Sequence, residues 1–253
     1  MSRHPAAARK AFSLMEIATS MAIVAVLLAL LIPVLTKARS AGHAAVSQAN
    51  LRQIATAWNA YMIDHEQFPT PDFGGGRLPE WTYGGVEFVG RDNTVALLPQ
   101  ARPINSYLGV ATGSESTARA AEIFHSPADR GFTSIAGRTP LVVKSFYNTF
   151  GTSYIANPEL VDPDRTGRVA PLTSLARTRP EALRLHEVEV SHSRLVLLGE
   201  PEWFYASRDS NHRATWWGTP GLANVALLDS SVTFTTFPDA IASGRLTDVP
   251  FRR

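Results

Sequence analysis

Residues 10–35 read KAFSLMEIATSMAIVAVLLALLIPVL, an apolar run entered through Arg9 and Lys10 and interrupted by one charge, Glu16, close to its start. As an α-helix this run is about long enough to cross a hydrocarbon core of about 30 Å. A carboxylate at the edge of a membrane segment is costly and calls for a reason. The plainest is that a glutamate near the interface reaches out to water. A conventional secretory signal has an apolar core of only about 7–15 residues with its cleavage site after it, so this longer run reads as a segment the chain keeps.

The helical pattern does not stop at Pro33. Between Thr36 and His65, residues Ala44, Leu51, Ile54, Trp58, Tyr61 and Met62 recur at spacings of three, four and seven, the signature of an amphipathic helix. No proline follows until Pro69, and the Ala, Gln and Arg content favours helix. Joined to the apolar run, this predicts one helix of about 50 residues, roughly 75–80 Å long. Pro33 and Gly42 are its weak points, because proline removes an intrahelical donor and glycine costs about 1 kcal/mol against alanine.

Beyond it, residues 69–102 are rich in Gly, Pro and aromatics and read as an ordered loop excursion. A helical patch follows around Ser116–Phe124. The expected strands are Leu141–Phe150, Thr152–Ala156, His186–Ser191, Leu195–Gly199, Asn224–Leu228 and Val232–Phe237, the last two joined by a turn at Asp229-Ser230-Ser231. Short strands after one long helix point to an α+β domain in which an antiparallel sheet packs on that helix. Residues 157–180, polar and with several prolines and arginines, read as a surface loop.

Composition allows the helix plus one ordinary domain: 253 residues, 45% hydrophobic and 18% charged, enough to fill a core. The net charge of +2 is carried by the first residues. Without Arg3, Arg9 and Lys10 there remain 21 basic against 22 acidic side chains, or −1, so nothing points to a nucleic-acid partner. No cysteine is present, which removes disulfides, thiolate chemistry and Cys-based zinc sites.

Lys10-Ala11-Phe12-Ser13-Leu14-Met15-Glu16 resembles the type IV prepilin signature, a basic residue, a small residue, then Phe-Thr-Leu-X-Glu, with Ala11 where Gly is best known. Later fragments are similar to those of large bacterial pseudopilin-like proteins. They are Asn50-Leu51-Arg52-Gln53-Ile54 through Tyr61 to Phe68-Pro69, Phe124-His125-Ser126-Pro127-Ala128-Asp129, Leu195–Glu200, and Asn224–Val232. Ser126 stands where that group usually has cysteine, and Ser230 where it has glycine.

The resemblance implies a leader 1–11 cut between Ala11 and Phe12 by a prepilin peptidase that methylates the new terminus. It implies a membrane and assembly helix 12–35, an amphipathic continuation 36–66, and a pilin-like α+β domain 67–253. Glu16 becomes the fifth mature residue and Pro33 the twenty-second, both positions where pilins commonly carry Glu and Pro. In that family the glutamate is thought to neutralise the amino terminus of a neighbouring subunit as helices stack; opposite charges attract strongly in a low-dielectric bundle. The implied partners are the peptidase, other pilin or pseudopilin subunits and an inner-membrane assembly platform. The implied topology has the amino terminus in the cytoplasm and the domain in the periplasm before assembly into a pilus or pseudopilus.

An enzyme would need a site. His186-Glu187 begins like H-E-x-x-H, but Val190 stands where the second histidine belongs. No G-x-S-x-G, S-x-x-K or G-x-x-x-x-G-K motif occurs. Asp162-Pro163-Asp164-Arg165-Thr166-Gly167 opens like a calcium loop, yet Thr173 holds the place of the bidentate carboxylate, so a plain Asp-Pro turn is expected and no cofactor or metal. Trp203, Phe204, Tyr205, Trp216 and Trp217 gather around His212. Such a cluster is expected in the core, and a ligand or partner surface is the other reading. With the size of the domain, it is what speaks for a membrane-tethered exported enzyme or binding module that uses the helix only as an anchor.

Overall fold

The structure, a computed structural model, describes residues 14–69, 83–89, 96–110, 120–134, 141–157, 191–206 and 216–237. The chain divides into two units, Met1–Gly42 and His43–Arg253. Helix α1 (Leu14–His65) is 52 residues long and passes through Pro33 and Gly42 without interruption. It stops where Glu66 takes a left-handed φ of 57° while its N–H still bonds Met62 O at 2.9 Å, a helix end followed by Pro69.

In the second unit the face of α1 made by Ser47, Leu51, Ile54, Trp58 and Met62 is buried. Ala44 and Tyr61, placed on the same stripe by their spacing, are half-buried. That face packs on a four-stranded antiparallel sheet built from β5 (Ile155–Ala156), β6 (Val196–Gly199), β7 (Leu222–Leu227) and β8 (Val232–Thr236), in that order. Two strand pairs stand outside it, β1 (Phe88–Val89) with β2 (Ala96–Leu97), and β3 (Phe132–Ser134) with β4 (Leu141–Val143). The architecture is α+β with a long amino-terminal helix and antiparallel sheets, as the pattern predicts.

The central strands are buried on both faces, so they read as apolar runs rather than as alternation. Ala226 and Leu228 join the α1 side of the core with Leu195, Leu197 and Leu198. Ala223, Val225 and Leu227 join the opposite side with Val196, Phe146, Trp203, Phe204 and Trp216. Leu197 and Leu198 fall on one side because the register shifts between Val196 and Leu198, an irregularity that re-aims one side chain. Gly199 follows because a Cβ there would lie 2.6 Å from Val225 Cγ1 and 2.7 Å from Trp203 Cδ1.

The hairpin at Asp229-Ser230-Ser231 is present. Ser230 sits at φ 66°, a conformation that favours glycine, and its hydroxyl accepts from Asn59 Nδ2 at 2.6 Å, tying the turn to α1.

Two expectations need correction. Leu141–Phe150 is not one strand: β4 ends at Val143 and α2 (Phe146–Phe150) begins after Ser145, whose Oγ accepts from Asn148 N as an N-cap. Gly151 closes that helix at φ 79°. Thr152–Ala156 contracts to the two residues of β5, because Ser153 N bonds Phe124 O and not a neighbouring strand. The patch expected at Ser116–Phe124 is helical where it is described, α-helical at Ala120 and Ala121 and 3-10 at Glu122–Phe124. The strand expected at His186–Ser191 lies outside the described residues except for Ser191, which is not in a strand.

The described parts of the 69–102 excursion are held by side chains. Buried Arg102 donates to Gly84 O at 2.5 Å and Phe150 O at 2.8 Å, and burial pulls its guanidinium down to about 9. Asn105 exchanges two bonds with the backbone of Gly85, at 2.9 and 2.7 Å.

Candidate functional site

The amino-terminal site is built on the first turns of α1. Ala11 and Phe12, the two residues of the expected cleavage site, lie outside the described residues. Glu16 is exposed in the first turn, and Pro33 is exposed inside the same helix. Around them runs a helix long and apolar enough to cross a membrane, its apolar stretch unburied. Its hydroxyls fold back on the helix: Thr19 donates to Met15 O at 2.8 Å, Ser20 to Glu16 O at 2.8 Å and Thr36 to Ile32 O at 3.0 Å. Each polar group is thereby satisfied within its own turn, which a hydrocarbon environment requires.

In the second unit the polar chemistry gathers on Glu200, at the end of β6 and fully buried. Oε1 accepts from Ser47 Oγ at 2.6 Å and from Ser126 Oγ at 3.2 Å. Oε2 accepts from Trp217 Nε1 at 2.7 Å, Asn224 N at 2.8 Å and Asn224 Nδ2 at 3.1 Å. Since Ser47 gives its proton to Glu200, the 3.3 Å contact between Ser47 Oγ and Tyr154 Oη has tyrosine as donor. Burial, and secondarily the charge of Glu200, pushes the Tyr154 hydroxyl up. One carboxylate thus joins α1, the Ser126 loop, β7 and the Trp217 turn.

A second carboxylate organises the loop ahead of β3. Asp129 Oδ1 accepts from the N–H groups of Gly131 and Phe146, both at 2.9 Å. Its Oδ2 accepts from Tyr147 N at 2.7 Å, Ser153 Oγ at 2.8 Å and Ser145 Oγ at 3.2 Å. It therefore serves the orphan donors at the start of α2 from a distant point in the chain. Asp129→Ala is expected to cost about 2–3 kcal/mol in denaturant unfolding, since partly buried donors lose their acceptor; a cost under about 0.5 kcal/mol would refute this role.

With five donors each, both carboxylates have the geometry of structural fasteners. The aromatic residues Trp203, Phe204 and Trp216 are buried in the core, and Trp217 is half-buried with its indole on Glu200. An open groove of about 400 Å³ runs beside Trp216, bringing Arg130 and Lys144 to an apolar floor that includes Phe132 and Val142. Among the described residues no His, Asp or Glu lines it, and neither composition nor motif signals it in the sequence. The loop with Asp162 and Asp164, and His212, lie outside the described residues. Among the described residues no three His, Asp or Glu side chains come together in a way that could hold a metal. Comparison of the chain with protein families, with curated proteins and with solved structures finds no match.

Proposed function

We propose that this chain is a structural subunit of a type IV pilus or type II secretion pseudopilus, a non-enzymatic protein processed between Ala11 and Phe12 and assembled through α1. The observation that carries the reading is the register of Lys10, Ala11, Phe12 and Glu16 at the entrance to the apolar run. The long exposed apolar helix and the α+β domain that follows are consistent with it. In this reading the helix sits in the inner membrane with the amino terminus cytoplasmic and the domain periplasmic. Glu16 pairs with the methylated amino terminus of a neighbour, and subunits stack on an assembly platform.

Co-expression with a prepilin peptidase is expected to give a product that begins at N-methyl-Phe12 by mass spectrometry. Glu16→Ala is expected to be processed normally yet to lower the assembly constant by at least about tenfold, the loss of one charge-assisted contact per interface. An intact Met1 terminus on protein isolated from its own cells, or undiminished filaments from Glu16→Ala, would sink the proposal.

A further inference from the structure

Glu202, in the first turn of α3 (Pro201–Ala206), is a second fully buried carboxyl two residues from Glu200, and the two are treated very differently by their surroundings. Glu200 receives five donors shared over both oxygens. Glu202 receives Trp216 N on Oε1 at 2.9 Å, while Oε2 is buried with no hydrogen-bond partner.

The charged groups facing the pair are acidic. Glu202 feels Glu200 and Asp129, and Glu200 faces Tyr154 from the β5 side. From α1 the neighbour is Ser47, from β7 it is Asn224, and from the turn after α3 the contacts are Trp216 N and Trp217 Nε1, all uncharged. No Lys, Arg or His forms an ion pair with either carboxyl among the described residues.

Two anions so placed would repel each other in a medium that solvates neither, and one buried anionic oxygen would have no donor at all. A neutral acid with one unpartnered oxygen costs far less. We infer that the folded domain holds Glu200 as the anion that fastens α1 to the sheet and Glu202 as the neutral acid, so that folding takes up a proton and the domain is most stable in mild acid.

Burial first, then the charge of Glu200, pushes the Glu202 carboxyl well above the ordinary range. Burial raises Glu200 too, and four hydrogen-bonding contacts oppose that rise, so it stays raised but is not driven up as Glu202 is. A folded value above the unfolded one, about 4.3 for glutamate, means that stability is full below the unfolded value and is lost as pH rises toward the folded one. The inference concerns the domain alone and stands whether or not the chain assembles into filaments.

The test is the unfolding equilibrium of the full chain in detergent micelles from about pH 5 to about pH 8, wild type against Glu202→Gln. Glutamine keeps the shape and neutrality of the protonated acid. The wild-type folding constant should fall more steeply with pH than that of Glu202→Gln, by up to about tenfold per pH unit for one proton. Parallel profiles would overturn the inference. Should Glu202→Gln fail to fold, infrared spectroscopy of the folded wild type at about pH 7 decides it: a protonated carboxyl band supports the assignment, and its absence refutes it.

Discussion

Glu200→Ala is expected to lower the unfolding free energy of the domain by about 3–5 kcal/mol, a large share of the 5–15 kcal/mol typical of a whole domain. The residue is fully buried, and its removal strands Ser47 Oγ, Ser126 Oγ, Trp217 Nε1, Asn224 Nδ2 and the backbone N–H of Asn224. Each orphaned buried donor costs about 1–3 kcal/mol, and the sum is less than additive because the donors share one acceptor.

Glu200→Gln is expected to be nearly as damaging. Whichever oxygen becomes an amide nitrogen, it meets the donors that oxygen served, two on the Oε1 side and three on the Oε2 side. Replacing the serines as well would not repair the site, because one of the stranded donors belongs to the backbone of β7. Denaturant unfolding in detergent measures the effect. A loss within about 1 kcal/mol for either substitution would show that the carboxylate is not the fastener described.

What could be read from the residues alone follows from how locally each feature is determined. The stripe of Leu51, Ile54, Trp58 and Met62 is legible because helical spacing repeats a local rule, and all four are buried as expected. Ser47 sits in the same register, four residues before Leu51, and could have been found as a buried polar position by extending that stripe. β6, β7 and β8 are legible as apolar runs separated by a turn of Asp and Ser.

Leu141–Phe150 misled because apolar residues dominate both β4 and α2, and the signal between them is only Ser145 as N-cap and Gly151 as stop. The role of Asp129 could not be read, since its partners Phe146, Tyr147 and Ser153 lie 17 to 24 residues away. The same holds for Glu200, whose contact with Ser47 spans 153 residues. Polar fasteners of this kind are set by tertiary packing, and no local pattern announces them. The cleavage site is the reverse case: Ala11 and Phe12 are legible only as sequence.

Trp58→Ala is the matching expectation for the apolar side of the same helix, at about 3–5 kcal/mol. Trp58 is 1% exposed, with its ring 5.0 Å from that of Tyr83 and 6.5 Å from that of Phe68. It already lines a small apolar void of about 20 Å³ with Ile54, Ile104, Phe124 and Leu198. Truncation would enlarge that void, and the walls have little room to close. A Cβ on Gly84 would lie 2.4–2.8 Å from Phe124 and Ile104, so the loop backbone is already close against them. Trp58→Phe, which keeps an aromatic in the void, should cost clearly less.

The two losses separate the two ways α1 is held. Trp58→Ala removes packing and leaves every donor of Glu200 satisfied, whereas Glu200→Ala does the reverse. Glu200 meets the stripe at Ser47, 11 positions before Trp58, and the two sites share Tyr154, which lines the void and donates to Ser47. The double substitution should therefore deviate from additivity by about 0.5 kcal/mol or more. A Trp58→Ala loss below about 1 kcal/mol would mean that the stripe is not what seats the helix on the sheet.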